Sequence, residues 1–137
     1  MRALWFGRIV LGAATTLLTS IALKYIVDPV GAVAGHGITL GSAEAVTIMR
    51  VSGGVFLGIA LVLTGCVVAE RRLLVGLVVL VAVMGAITGV RLLGLAIDGP
   101  APFTLAVLRP EIALVACSTA ALVLERRRVR SALGRRG

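Results

Sequence analysis

The chain has 137 residues, of which 59% are apolar and 15% are charged, and its mean hydropathy is +1.10. Soluble domains are about 45–50% apolar and about 25% charged, and a soluble fold of this length leaves much of its surface in contact with water. The composition therefore excludes a soluble globule, a disordered chain and a disulfide-rich secreted module. It indicates an integral membrane protein.

The net charge of +8 comes from 14 Lys and Arg residues against 6 Asp and Glu residues. It does not predict nucleic-acid binding, because six of the cations follow residue 125 and the others form no basic face interleaved with aromatic side chains. A basic tail beside an apolar block is typical of contact with anionic lipid headgroups. We expect membrane lipids as partners and no nucleic acid.

Four apolar stretches are long enough to cross a bilayer, which takes about 20 residues of helix. The sequence predicts an all-α bundle of four transmembrane helices near residues 4–27, 45–69, 73–97 and 104–124. The glycine-rich stretch 29–43 follows Asp28 and holds His36, the one histidine of the chain, which indicates a solvated loop with a short interfacial turn.

The distribution of cations between the connections predicts the orientation. The connections over 28–44 and 98–103 contain no Lys or Arg, whereas the remaining connection and both chain ends are basic. Cytoplasmic loops carry the excess of Lys and Arg, and a cation set made almost entirely of Arg is typical of a GC-rich bacterial genome. We predict a bacterial cytoplasmic-membrane domain over 1–125 with both termini cytoplasmic, followed by a basic cytoplasmic tail over 126–137.

Each predicted span carries an ionisable side chain toward its outer end. Counted at about 1.5 Å per residue, Arg50, Arg91 and Glu111 lie about 7–10 Å inside the boundary, and Lys24 lies at the end of the first span. A charge at mid-membrane costs about 2.5–3.5 kcal/mol, so each should face protein or water. We predict one outward-facing polar cluster made of Arg50, Arg91, Glu111, Arg109, Asp98 and Lys24.

Small residues support an inward orientation of these charges, because small residues at four-residue spacing let helices approach closely. Gly54 and Gly58 share the face of Arg50, Gly94 shares the face of Arg91, and a GxxxG pattern on the third span indicates a second seam, inside the bundle or between protomers. The predicted packing positions are Gly54, Gly58, Gly85, Gly89 and Gly94.

Pro110 stands next to Glu111 within the fourth span. Proline lacks an amide hydrogen and disfavours helical geometry at the residue before it. Two geometries are open: the helix is kinked at Pro110, or it restarts there and places Glu111 in a first turn beside free N–H groups that favour a carboxylate.

Three interpretations of the polar cluster are open. In a structural network, Glu111 pairs with Arg50 or Arg91, and the other guanidinium binds backbone carbonyls or Asp98. In a binding site, the surplus of arginines over one deep carboxylate holds an anionic or carbonyl-bearing ligand, such as a lipid headgroup, a quinone or a small carboxylate. The third interpretation is a proton relay through Glu111.

The sequence contains no phosphate loop, nucleophile elbow, zinc-ligand spacing or paired catalytic carboxylates. An enzyme acting alone is therefore disfavoured, and we expect neither a cofactor nor a metal. A single histidine excludes bis-histidine haem ligation within one chain. Cys66 and Cys117 have no CxxC partner and are expected to be small packing residues.

Four segments carry a resemblance to a known family: residues 49–58 (MRVSGGVFLG), 89–95 (GVRLLGL), 98–99 (DG) and 110–111 (PE). They resemble the bacterial domain of unknown function 4345, a family of small four-helix membrane proteins similar to the DoxX-like group. The resemblance covers nearly the whole chain and implies a four-helix membrane fold without an established activity. DoxX-like proteins are associated with quinone-linked oxidoreductase assemblies, which implies an accessory role.

Three functions follow as hypotheses. The first is a non-catalytic accessory or ligand-binding subunit that packs against itself or a larger membrane complex. The second is a carrier or binder of a lipid or small anionic molecule, held by the arginines. The third is a component of a quinone-linked redox complex.

Overall fold

A computed structural model describes residues 2–133 of the chain, with side chains over 4–131. Its elements are α1 (Arg2–Val27), α2 (Pro29–Ala34), α3 (Ala43–Val68), a 3-10 turn (Glu70–Arg72), α4 (Leu73–Asp98) and α5 (Pro102–Leu133). Within the described residues there is no strand, and four of these helical stretches are long and apolar enough to cross a membrane. The predicted all-α, four-helix architecture is confirmed.

The helix ends follow from local hydrogen bonding. The Ser42 hydroxyl accepts a hydrogen bond from the Ala45 amide at 3.1 Å and caps α3. The Asp28 carboxylate accepts one from the Gly31 amide at 2.9 Å, which starts α2 inside the segment predicted as a loop with a short turn. Gly99, at φ 85°, ends α4 in a conformation that favours glycine.

The last helix is longer than the sequence predicts. α5 continues through Leu133, so the first part of the predicted basic tail extends the helix, while Arg135 and Arg136 lie outside the described residues. The same helix runs through Pro110 without ending. A helix restarting at Pro110 is therefore not what the structure shows, and Glu111 lies in the third turn of α5 rather than the first.

The helices form a bundle in which α1 packs mainly against α3, α4 packs mainly against α5, and α1 also contacts α4 and α5. Leu11, Leu63, Leu77 and Leu80 are fully buried at its centre. Several hydroxyl groups in the spans donate to the carbonyl oxygen four residues earlier, as Thr15 does to Leu11 at 2.8 Å, whereas the buried Thr88 hydroxyl has no partner among the described residues. Such local bonds satisfy polar side chains that water does not reach.

Close helix contacts occur at glycines that the sequence did not single out. A Cβ at Gly53 would lie 2.9 Å from the Ala22 carbonyl oxygen, so α3 approaches α1 directly over this residue. A Cβ at Gly76 would lie 2.5 Å from the Cys66 Cβ, so α4 approaches α3 just as closely. At these two positions the helices approach closely because the glycine has no side chain to separate them.

The glycines that were predicted to pack are open within the chain. Among the described residues, no atom outside the local helix comes within 4 Å of a Cβ placed at Gly54, Gly58, Gly85 or Gly89, and a Cβ at Gly94 meets only the Asp98 carboxylate at 3.7 Å. This corrects the expected seam inside the bundle. Lipid is as apolar as the protein interior, so a glycine in an apolar helix does not by itself indicate which face packs against another helix. Contact between protomers at these glycines stays a prediction.

Candidate functional site

An ion pair joins α4 to α5 inside the bundle. The Arg91 Nε atom donates a hydrogen bond to the Glu111 Oε2 atom at 2.8 Å. The Glu111 side chain is 10% exposed and the Arg91 side chain 23% exposed. A charged pair this sheltered from solvent requires good geometry to persist, and the structure thus brings two of the predicted site residues together.

The rest of the Arg91 guanidinium is not used by protein acceptors. Among residues 4–131, neither terminal nitrogen, Nη1 or Nη2, donates a hydrogen bond to a protein acceptor. The guanidinium carbon lies 5.6 Å from the centroid of the Phe103 ring, within cation–π range. Arg91 is therefore fixed by Glu111 on one side and by Phe103 on its face, with its terminal edge free to bind a ligand.

The stack continues into the segment between α2 and α3. The ring centroids of Phe103 and His36 lie 4.8 Å apart at an interplanar angle of 43°. His36 is exposed, as predicted for a loop residue, but its ring is packed rather than free. Aromatic pairs of this kind favour tilted arrangements, so the segment between α2 and α3 meets α4 and α5 through the series Glu111, Arg91, Phe103 and His36.

These side chains surround a cavity of about 250 Å³ that is walled by all five helices. Its polar lining consists of Lys24, Tyr25, His36, Arg91 and Glu111. Its apolar lining consists of Leu17, Leu18, Ile21, Ala32, Phe56, Met84, Ile87, Phe103 and Val107. The cavity thus combines a charged region with an apolar region, which is the arrangement that binds an amphiphilic molecule.

Arg91 can be reached from a second side. A groove of about 670 Å³ runs along the end of α4 and the start of α5, and its lining includes Arg91, Ile87 and Asp98. Arg91 and Ile87 line both spaces. Asp98, predicted as part of the cluster, is exposed in this groove and belongs to it rather than to the inner cavity.

Of the remaining predicted cluster residues, one lies at the cavity and two lie elsewhere. Lys24 is exposed and lines the cavity. Arg50 is exposed on α3, on the open face that also carries Gly54 and Gly58, so the expected inward orientation of Arg50 does not hold. Arg109 is likewise exposed on α5, and neither arginine lines the cavity. The reason is rotational: both helices present another face to their neighbours.

A second Arg–Glu site lies at the opposite end of the bundle. Arg128 Nε donates to both oxygens of Glu125, at 3.0 and 2.9 Å, and Nη2 donates to Glu125 Oε1 at 2.6 Å. Arg128 Nη1 donates to Glu70 Oε1 at 2.8 Å and so ties α5 to the turn before α4. The Glu125 side chain is 1% exposed. We call this set of three residues the Arg128 clasp.

Two further features of these sites, the Glu125–Arg128 pair and the Phe103–His36 contact, were not predicted from the sequence. The Glu125–Arg128 spacing of three residues is a known helical pair, but Glu125 stands directly after the apolar run, at the last position of the predicted membrane domain. Phe103 and His36 lie in separate connections, and no periodicity indicates that they meet. Within the part of the chain that the structure describes, no group of three or more potential metal ligands occurs.

A family model described as "Domain of unknown function (DUF4345)" matches residues 6–122. The chain belongs to this family. The DUF4345 match includes every residue that lines the inner cavity, whereas Glu125 and Arg128 lie beyond its end. No curated protein and no solved structure gives a significant match to the chain.

Proposed function

We propose that this DUF4345 protein is a multi-pass membrane protein that binds a small amphiphile by its anionic head in the cavity around Arg91. The observation that carries the proposal is the unused terminal edge of Arg91. A guanidinium presents parallel N–H donors that match the two oxygens of a carboxylate or phosphate. Glu111 and Phe103 hold the group in place, so little side-chain entropy is lost when a ligand binds.

The charges around the cavity support an anion. Lys24 and Arg91 provide two cations against the single carboxylate of Glu111, and that carboxylate is engaged by Nε rather than by the terminal nitrogens. The effective dielectric constant is low inside a membrane protein, so an unbalanced cation attracts an anion more strongly than it does in water. The lining therefore favours a negatively charged head.

The volume and the walls of the cavity limit the ligand. About 250 Å³ lies just under the range of about 300–1,000 Å³ typical of small-molecule sites. A two-chain phospholipid does not fit such a space, but a short single-chain carboxylate does. The apolar side chains Leu18, Phe56 and Met84 lie where the chain of such a molecule would pack.

Placement in a bacterial cytoplasmic membrane, with both termini on the cytoplasmic side, is part of the proposal. Its support is the charge difference between connections, which leaves the α2–α3 segment without Lys or Arg. The cavity then opens outward. Cysteine introduced at Thr39 in a chain whose native Cys66 and Cys117 are alanine should react with an impermeant maleimide in intact cells. Cysteine at Ser131 should react only after lysis, and the reverse pattern contradicts this orientation.

Binding is tested with octanoate and octanol, two probes that share a chain and differ in the charge of the head. Purified protein in a nonionic detergent is titrated with each, and its thermal unfolding midpoint is followed. We expect octanoate to raise the midpoint and octanol to have little effect, because only the carboxylate uses the Arg91 fork. Equal effects of the two probes would show that the site has no preference for an anion.

Arg50 provides a matched control for Arg91, since both are arginines at similar depth in apolar helices and Arg50 does not line the cavity. Arg91→Met should weaken octanoate binding by about tenfold or more, and Arg91→Lys by less. Arg50→Met should leave binding within about twofold. If Arg91→Met lowers stability without any octanoate effect to lose, the ion pair is structural and the proposed function is wrong.

The quinone-linked alternative uses the same donors on a carbonyl oxygen. The observation that favours it is the aromatic part of the lining, Tyr25, Phe56 and Phe103, against which a flat ring can stack. An accessory subunit of a redox assembly should retain quinone when it is purified gently. Solvent extraction followed by chromatography measures the quinone per chain, and extracts free of quinone count against this alternative while leaving the anion site intact.

A further inference from the structure

The Arg128 clasp forms one wall of a second space, far from the cavity around Arg91. A groove of about 840 Å³ lies between the turn before α4 and the end of α5. Its polar lining is Glu70, Arg71, Arg72, Glu125 and Arg128, and its apolar lining is Ala69, Leu74 and Val129. The groove shares no residue with the inner cavity. An inference about the groove therefore does not depend on the proposed function of the cavity.

The charges of this groove are not balanced within the protein. Both of its carboxylates, Glu70 and Glu125, bind Arg128. Arg71 and Arg72 are exposed, and neither forms an ion pair with a carboxylate in the described part of the chain. The groove lining therefore carries three guanidinium groups against two carboxylates, a net charge of +1, and Arg71 and Arg72 are the two cations that have no paired carboxylate.

The groove lies at the level where headgroups are expected. α3 ends at Val68 and α4 begins at Leu73, both at the limits of apolar helical stretches. Two apolar residues on either side of the turn are exposed: Val68, with an exposed fraction of 77%, and Val75, with an exposed fraction of 57%. Charged groups beside exposed apolar side chains at a helix end mark the boundary between hydrocarbon and headgroups.

We propose that this groove binds the phosphate of an anionic phospholipid from the surrounding bilayer, with Arg71 and Arg72 as its cationic ligands. A phosphodiester accepts hydrogen bonds from two guanidinium forks at once. The apolar floor of Ala69, Leu74 and Val129 receives the glycerol region, and the acyl chains continue along the exposed face that begins at Val75. This apolar continuation favours a lipid over free phosphate, which has no apolar part to bury.

The Arg128 clasp makes this a built site rather than a general basic surface. Through its ion pair with Glu70, Arg128 links α5 to the turn that carries Arg71 and Arg72. Arg126 and Arg127 lie on the same helix end with the same charge, but they do not line the groove. Comparing variants of the Arg71–Arg72 pair with variants of the Arg126–Arg127 pair therefore distinguishes binding in the groove from a general attraction to the basic surface.

The experiment uses the full chain in nonionic detergent and counts bound lipids by native mass spectrometry. Dioleoylphosphatidylglycerol is the anionic probe, and dioleoylphosphatidylcholine, with the same acyl chains, is the zwitterionic one. We expect phosphatidylglycerol to bind preferentially, and Arg71→Gln with Arg72→Gln to weaken it by about tenfold or more. Arg126→Gln with Arg127→Gln, which removes the same charge, should weaken it by about twofold or less.

Three results would overturn the proposal. Equal losses in the two double variants would mean that only the overall charge of this end matters. Equal binding of phosphatidylcholine would mean that anionic lipid is not selected. Displacement of phosphatidylglycerol by inorganic phosphate at similar concentration would show that the occupant is free phosphate. Circular dichroism spectra of both double variants verify that a loss of lipid does not come from a loss of helix.

Discussion

The two ends of this bundle each contain an arginine paired with a glutamate of α5, and the two pairs differ in how far the guanidinium is used. Arg128 donates from Nε, Nη1 and Nη2 and binds two carboxylates. Arg91 donates to protein from Nε alone. A buried charge in a membrane protein therefore does not by itself mark a binding site. The unused donors do, because they lose hydrogen bonds unless a ligand or water supplies an acceptor.

The packing of α4 against its neighbours also differs between the two ends of the bundle. Near the Arg128 clasp, Gly76 brings α4 against Cys66 and Leu11, whereas Gly94, near the other end, has open space around it apart from Asp98. The end that contains the clasp is closed, and the end that contains Arg91 leaves room for a cavity. The helices are therefore packed more closely around Gly76, at the clasp end, than around Gly94, at the end that contains the inner cavity.

The largest expected effect is that of removing Arg128. Arg128→Met leaves Glu125, at 1% exposure, without its cation, and should lower the free energy of unfolding by about 3 kcal/mol. Unfolding in mixed detergent–dodecyl sulfate micelles, followed by circular dichroism, measures it. The double variant Glu125→Met with Arg128→Met should regain most of the loss, since it leaves no buried charge. A smaller loss of unfolding free energy for Arg128→Met than for Arg91→Met would contradict the expectation that the Arg128 clasp contributes more to stability.

The next effect concerns the closed end of α4. Gly76→Ala places a methyl group where the Cys66 Cβ stands 2.5 Å away, and should cost about 1–3 kcal/mol by overpacking. Gly94→Ala is the matched control on the same helix, and should stay within about 0.5 kcal/mol. The same unfolding assay compares them. Equal costs at the two positions would mean that the open end is as tightly packed as the closed one.

A smaller loss of stability is expected at the open end. Arg91→Met removes one charge-assisted hydrogen bond from Glu111 and should cost about 1.5 kcal/mol, because a carboxylate that lines a cavity can be hydrated. Its stability should therefore fall less than that of Arg128→Met, while its octanoate response is lost. A variant with normal octanoate binding would show that the terminal nitrogens of Arg91 do not form the site.

The smallest effect tests the stack on Arg91. Phe103→Leu removes the ring that lies 5.6 Å from the guanidinium carbon and should cost about 0.5–1 kcal/mol. Octanoate affinity should fall modestly as Arg91 becomes less well positioned. Phe6→Leu, on an exposed phenylalanine of α1, controls for the change in side-chain size. Identical results for the two variants would leave the stack without a role in positioning Arg91.

Part of the site could be predicted from the sequence. Counting residues along apolar helices placed Arg91 and Glu111 at one depth, and the structure joins them across α4 and α5. The same counting placed Arg50 at that depth, yet Arg50 is on an open face of α3. Depth follows from the rise per residue, but rotation about the helix axis does not, and rotation decides which charges meet.

The sequence alone determined the helical class of the protein: four long helices, apolar enough to cross a membrane, and their approximate limits follow from the length that a bilayer requires. Only the tertiary structure decided which glycines pack, which arginines face inward, and that Phe103 and His36 meet over Arg91. The physical reason is that lipid and protein interior are equally apolar. A membrane helix has no polar face pointing to water, so its sequence pattern does not record which side its neighbours occupy.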